Sequence, residues 1–259
     1  HEQQIPMEPK PFAMGVRIEH KQSMIDQAQY GSDTLPLPPA DYKLVKHLED
    51  QTVYTFCMCP GGYVVAAASE EGGVVTNGMS YADRDGENAN AALLVTVNPR
   101  EFPYEGVLGG VKWQQEIERK AFAVSGSYNA PAQTVGDFLA GKASTGCAGV
   151  QPTYRPCVHW CDLRDVLPET LTDALAQALP QLDRNLKGFA DPQAVMTAPE
   201  TRSSSPVRIL RDESRQSALR GLYPSGEGAG YAGGIMSAAI DGMMSAEALI
   251  EHLGGNAHE

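Results

Sequence analysis

Gly221-Leu-Tyr-Pro-Ser-Gly-Glu-Gly-Ala-Gly-Tyr-Ala-Gly-Gly-Ile-Met-Ser-Ala238 is the stretch whose reading decides the fold. It opens on a short apolar segment, Gly221–Tyr223. Gly226, Gly228, Gly230, Gly233 and Gly234 then alternate with small residues, and an apolar, helix-forming run continues from Ile235 to Leu253. Strand, glycine-rich turn, helix is the order that brings backbone N–H groups up to an anionic ligand. Glycine permits both a positive φ and a close approach of ligand to backbone. The helix N-terminus adds roughly half a positive charge. Gly226-x-Gly228-x-Gly230 is not the dinucleotide fingerprint, although Gly228-x-Gly230-x-x-Gly233 fits its order. A tight turn with close packing of helix on sheet is the plain alternative, and the pattern alone leaves both open.

Upstream lies Glu200-Thr-Arg-Ser-Ser-Ser-Pro-Val-Arg208, dense in hydrogen-bonding groups. Arg202 suits a carboxylate or phosphate, and Ser203, Ser204 and Ser205 supply adaptable donors. A solvated turn is the plain alternative. Further upstream, Cys57-Met-Cys59-Pro-Gly-Gly62 places two sulfurs on one face of a strand. A disulfide across one residue is strained. Three functional readings stand beside that of buried thiols on a core strand: a thiol redox site, a metal site, and a segment facing a ligand. Cys157-Val-His-Trp-Cys161 offers zinc's usual ligand types, but not its commonest spacing, and no metal is expected.

The remaining chain reads as short strands and amphipathic helices. Phe12, Met14, Val16 and Ile18 alternate, which predicts a half-buried strand with Arg17 and His20 on its other face or end. Residues 21–30 suit a helix closed by Gly31. Residues 40–48 and 52–59 read as a hairpin, with further strands at 63–69, 74–77 and 91–97. Helical spacing recurs over 109–124, and Leu171, Leu175 and Leu179 mark an amphipathic helix from 169 to 179. Residues 180–189 read as a second helix, and 194–201 and 206–210 as two late strands. In Ala130-Pro-Ala-Gln-Thr-Val-Gly-Asp137, Gln133 and Asp137 share a face if the segment is helical.

Five of these stretches, Ala130–Asp137 among them, together resemble a family of bacterial FAD-dependent dehydrogenases of unassigned substrate, built like two-dinucleotide-binding-domain flavoproteins. The other four are Pro11–His20, Thr55–Gly62 with Ala67–Ser80, Glu200–Arg208 and Gly221–Ala238. The resemblance implies that Gly226, Glu227, Gly228, Ala229, Gly230, Tyr231, Ala232, Gly233, Gly234 and Ile235 line the flavin, with Glu227 at the acidic position. It places Arg202 and Ser203–Ser205 toward the substrate or isoalloxazine, and marks Cys57 and Cys59 as a family landmark without giving their role; both are carried as candidate substrate-binding residues. A bulky side chain at Gly230 is expected to crowd the cofactor.

The fold class expected is α+β. A mostly antiparallel cap or substrate domain with flanking helices would span 11–190. Residues 194–259 would supply the last strand and helix of a Rossmann-like FAD-binding layer. No strand–Gly-x-Gly-x-x-Gly–helix unit precedes Gly61, so the expectation is the C-terminal portion of a longer FAD-dependent oxidoreductase, inactive alone. Its rivals are a noncatalytic binding module and a thiol-redox protein using Cys57 and Cys59.

Composition narrows the partners. Twenty Lys and Arg against 32 Asp and Glu leave a net charge of −12, which disfavours nucleic acid and anionic membrane surfaces. No apolar run approaches the about 18 residues that span a bilayer. No secretion signal is visible, and an odd count of five cysteines is no disulfide framework. A small-molecule substrate and a cytoplasmic setting are the expectations.

Overall fold

The computed structural model describes residues 1–147 and 149–254. In chain order the strands and helices are β1 (Met7–Pro9), β2 (Phe12–Lys21), α1 (Gln22–Tyr30), β3 (Val45–His47), β4 (Thr52–Cys59), β5 (Gly62–Ala66), β6 (Thr76–Ser80) and β7 (Asn88–Val97). They continue as α2 (Gly109–Ser125), β8 (Ala130–Thr134), α3 (Val135–Leu139), β9 (Val158–Trp160), α4 (Glu169–Leu182), β10 (Val195–Glu200), β11 (Val207–Ile209) and α5 (Ile235–His252). The chain divides into two units. One comprises residues 13–96 and 115–201; the other comprises 1–12, 97–114 and the chain from Arg202 onward.

The first unit is built on a seven-stranded sheet in the order β3-β4-β7-β2-β10-β8-β9. Pairing is antiparallel for β3 with β4, β4 with β7, and β10 with both β2 and β8; β8 and β9 run parallel. The fold is therefore α+β with a mostly antiparallel sheet, as the sequence predicts. β5 and β6 form a separate antiparallel hairpin.

The sequence predicts β2 as half-buried, and the structure corrects this. β2 sits inside the sheet, and its residues from Phe12 to His20 are all buried. Its polar residues are interior too: Arg17 has no exposed surface and His20 almost none. α4 packs against β3 and β4 and buries Leu171, Leu175, Leu179 and Leu182. The predicted break at Pro180 does not occur: α4 runs through it to Leu182, and no helix covers 183–189. Gln133 and Asp137 fall on different elements, β8 and α3.

The second unit pairs β1 with β11 antiparallel, Met7 opposite Ile209. Beside this ribbon Phe12, Phe102 and Trp113 form an edge-on aromatic cluster, with ring centroids 5.4 to 6.5 Å apart. Phe12 and Trp113 are buried and Phe102 is half-buried, so the three rings contribute apolar packing to this unit. Gly221–Tyr223, expected as a strand, is not one. Gly221 takes φ 85°, the Leu222 amide turns back to Leu219, and Leu222 accepts from the Ser217 amide. The strand beside the glycine turn is instead β11.

Candidate functional site

The glycine turn is fixed from two sides. On one, the Ile209 amide of β11 donates to Ala229 at 3.1 Å, and Arg208 Nε donates to the Gly230 carbonyl at 3.2 Å. Within the turn, the Gly230 and Tyr231 amides reach back to Glu227 and Gly226. Gly226 and Gly230 hold φ of 74° and 87°, a region that favours glycine. Tyr231 donates its hydroxyl to Ile209 at 2.9 Å, and the Arg211 guanidinium lies 3.6 Å from its ring centroid.

On the other side the turn hangs on Asp241 of α5. Asp241 accepts both arms of Arg211 at 2.6 and 3.0 Å, Arg215 at 2.7 Å, and the Gly226 amide at 2.8 Å. The Arg211 hydrogen bonds, ahead of the smaller opposing effect of burial, hold its carboxyl well below the usual carboxylate range. Sequence reasoning missed this anchor. Asp241 is one of three carboxylates in α5, with Glu247 and Glu251, and no local pattern marks it as the buried one.

The glycines of the turn divide into two kinds. A Cβ on Gly230 would lie 2.6 Å from the Val207 carbonyl oxygen and 2.9 Å from Arg208 Cα. The crowding expected at Gly230 therefore comes from the protein's own strand. At Gly228, Gly233 and Gly234 a Cβ would meet nothing within 4 Å, so their backbone is open to approach. α5 begins at Ile235 with no side chain capping Gly234, which leaves the first N–H groups of the helix to an outside acceptor.

Two stretches singled out in the sequence meet at one groove. Arg202, Ser204, Ser205 and Pro206 line it together with Glu227 and Gly228, and Val111 and Gln114 close it from the first turns of α2. Its volume is about 270 Å³. Lys10 lies close by: burial first, and then the Arg208 charge, lower its pKa, while Glu227 raises it. The rim thus carries cations around one carboxylate, which suits an anionic ligand with a polar or hydroxylated portion. Of the other predicted residues, Ser203, Ala232 and Ile235 lie outside the groove lining, Ala229 is buried, and Tyr231 is engaged by β11 as described. Val111 and Gln114 were not foreseen, because helical spacing alone does not say what a helix start faces.

Cys57 and Cys59 belong to the sheet unit. The register of β4 against β7 shifts between Phe56 and Cys59, and at this irregularity Cys57 takes φ 47°. Cys57 is exposed and Cys59 buried, both as free thiols. Cys59 Sγ donates to the Cys57 carbonyl at 3.3 Å. Arg17 holds the irregularity from below, donating to Phe56 at 3.3 Å, to Cys57 at 3.0 Å and to Asn90 Oδ1 at 2.9 Å, with Glu200 Oε2 3.5 Å away. Burial pushes the Cys59 thiol up, which disfavours the thiolate that exchange chemistry needs. Cys157 is exposed and Cys161 buried, its thiol pushed up to about 11 by burial. Among the described residues, no three His, Cys, Asp or Glu side chains are grouped to hold a metal, and no helix is long and apolar enough to cross a membrane.

Residues 11–203 match the family described as FAD-dependent protein, C-terminal domain-like. A curated protein of Clostridium beijerinckii, described only as uncharacterized, is 47% identical over 257 residues covering 97% of this chain. The chain spans about half that relative's length, 48%.

Proposed function

Because the chain belongs to the family of FAD-dependent protein, C-terminal domain-like, chains, we propose that it is the C-terminal portion of an FAD-dependent oxidoreductase of about twice its length. In this reading it contributes one wall of the flavin site. The bound flavin supplies hydride transfer, and the protein supplies orientation and electrostatics. The residues present suit such a group. Gly228, Gly233 and Gly234 offer a backbone that no side chain obstructs, and the uncapped start of α5 offers donors to its anionic or ribityl side. Arg202, with Ser204 and Ser205, would hold an anionic portion of the substrate or cofactor in the groove. Glu227, on the same wall, would accept from hydroxyl groups.

The observation that carries this reading is the convergence of Arg202, Ser204 and Ser205 with Glu227 and Gly228 on one groove beside unobstructed glycine backbone. The test is the flavin content of the longer protein. Gly228→Val and Gly233→Val are expected to lower bound flavin, read by visible absorbance, with the melting temperature of the protein chain little changed. Gly230→Val is expected to lower the melting temperature itself, since its side chain meets β11. A colourless parent, or full flavin content in both open-glycine variants, would sink the proposal. The outcome left would be a binding module without redox chemistry.

A further inference from the structure

α5 is an inverted amphipathic helix. Its buried residues are polar, Asp241 and Ser245, while its large apolar side chains point outward. Met236 is 73% exposed, Ile240 54%, Met243 65% and Leu253 75%, with Ile250 also exposed. Positions 236, 240, 243 and 250 recur at helical spacing and form one stripe along the helix, with the exposed Glu247 lying among them and Leu253 following at the helix end. A helix of a free-standing domain turns such a stripe inward. Rotation is not available to this one. Arg211 and Arg215 grip Asp241 with three contacts of 2.6 to 3.0 Å, and the Gly226 amide adds a fourth at 2.8 Å. Turning the stripe inward would leave that carboxylate and two guanidinium groups without each other, which is strongly destabilising.

We infer that the Met236–Leu253 stripe is the docking face for the cofactor-binding half of the longer protein, which seats on α5 and so closes the flavin cradle. This rests on the function proposed above. Two observations favour that occupant over a second copy of the chain. The relative in Clostridium beijerinckii has about as much chain again outside the matched portion, since only 48% of it is spanned. The stripe also begins at Met236, two residues past the unobstructed Gly233–Gly234 backbone, so whatever covers it lies over the start of α5 as well. A two-ended cofactor held on one wall only would lose most of its burial, which a ligand site needs.

Methionine oxidation reads the stripe directly, because thioether oxidation follows exposure. Hydrogen peroxide oxidation of Met236 and Met243 is followed by mass spectrometry in this chain and in the longer protein, normalised to the unfolded rates. The expected result is at least about tenfold slower oxidation of both residues in the longer protein. A companion variant, Ile240→Glu with Met243→Glu, is expected to leave the melting of this chain unchanged and to lower that of the longer protein. Equal oxidation in the two proteins would overturn the inference. So would protection already present in this chain and lost on dilution, which would assign the face to a second copy. Repeating the measurement on flavin-free protein separates the two proposals. Protection in a parent that never binds flavin keeps the interface and removes the cofactor reading. An exposed stripe in a yellow parent does the reverse.

Discussion

His20 shows how a single side chain ties stability to pH. It lies buried at the end of β2, with Nε2 2.8 Å from the Phe189 carbonyl and the two rings 5.1 Å apart. Burial pushes its pKa down to about 4, against the opposing pull of the Phe189 carbonyl, Asp191 and Asp183. A depressed folded value means that its stabilising effect is complete above the unfolded value of about 6.5 and is lost as the pH falls toward about 4. The shift corresponds to about 3 kcal/mol. Melting of the sheet unit followed by circular dichroism should therefore drop across that window, and His20→Asn should flatten the drop. An unchanged acid limb in the variant would remove His20 as its source. At this scale the sequence was half legible. Phe12, Met14, Val16 and Ile18 are core residues as their alternation predicts. Arg17 is hidden as well, because alternation identifies one buried face and cannot say that neighbouring elements cover the other. Gly78 belongs to the same fact: a Cβ there would lie 2.2 Å from Arg17 Nη2 and from Asn90 Oδ1.

At the scale of elements, α5 depends on its carboxylate more than on its apolar residues. Asp241→Ala would leave Arg211 and Arg215 without their acceptor and the Gly226 amide without its anchor. The expected cost is about 3 kcal/mol, with faster amide exchange along α5 and the glycine turn. Since the folded pKa of Asp241 is depressed, its contribution is present above about pH 4 and fades as the pH falls below that value. Exchange rates along α5 that match the wild type would contradict this account. The helix itself was legible from its apolar run, and so was the amphipathic α4. Its orientation was not, because the arginines lie 30 and 26 residues from Asp241 and no local pattern links them. The failed strand at Gly221–Tyr223 has a similar cause. Its amides find nearby turn partners, so three apolar residues did not suffice to pair with a sheet.

For the molecule as a whole, ligand linkage gives the prediction. A ligand present at a hundred times its dissociation constant stabilises the state that binds it by about 2.7 kcal/mol. Added FAD should raise the melting temperature of the longer protein and leave that of this chain within error, because only one wall of the proposed site is here. A comparable rise in this chain alone would show that it holds the cofactor unaided. The α+β class and the mostly antiparallel sheet were readable from strand lengths and turns. The grouping of the chain was less so, since contacts between distant segments leave no periodic trace. The ribbon that supports the glycine turn makes the point: Met7 pairs with Ile209. On a ribosome adding roughly 5–20 residues per second, β1 waits about ten to forty seconds for the strand that completes it. Through that interval its backbone edge stands without its partner strand. A nascent chain stalled before Val207 would therefore present a ready target for holdase chaperones, whereas one stalled after β11 has emerged would already have zipped the ribbon shut.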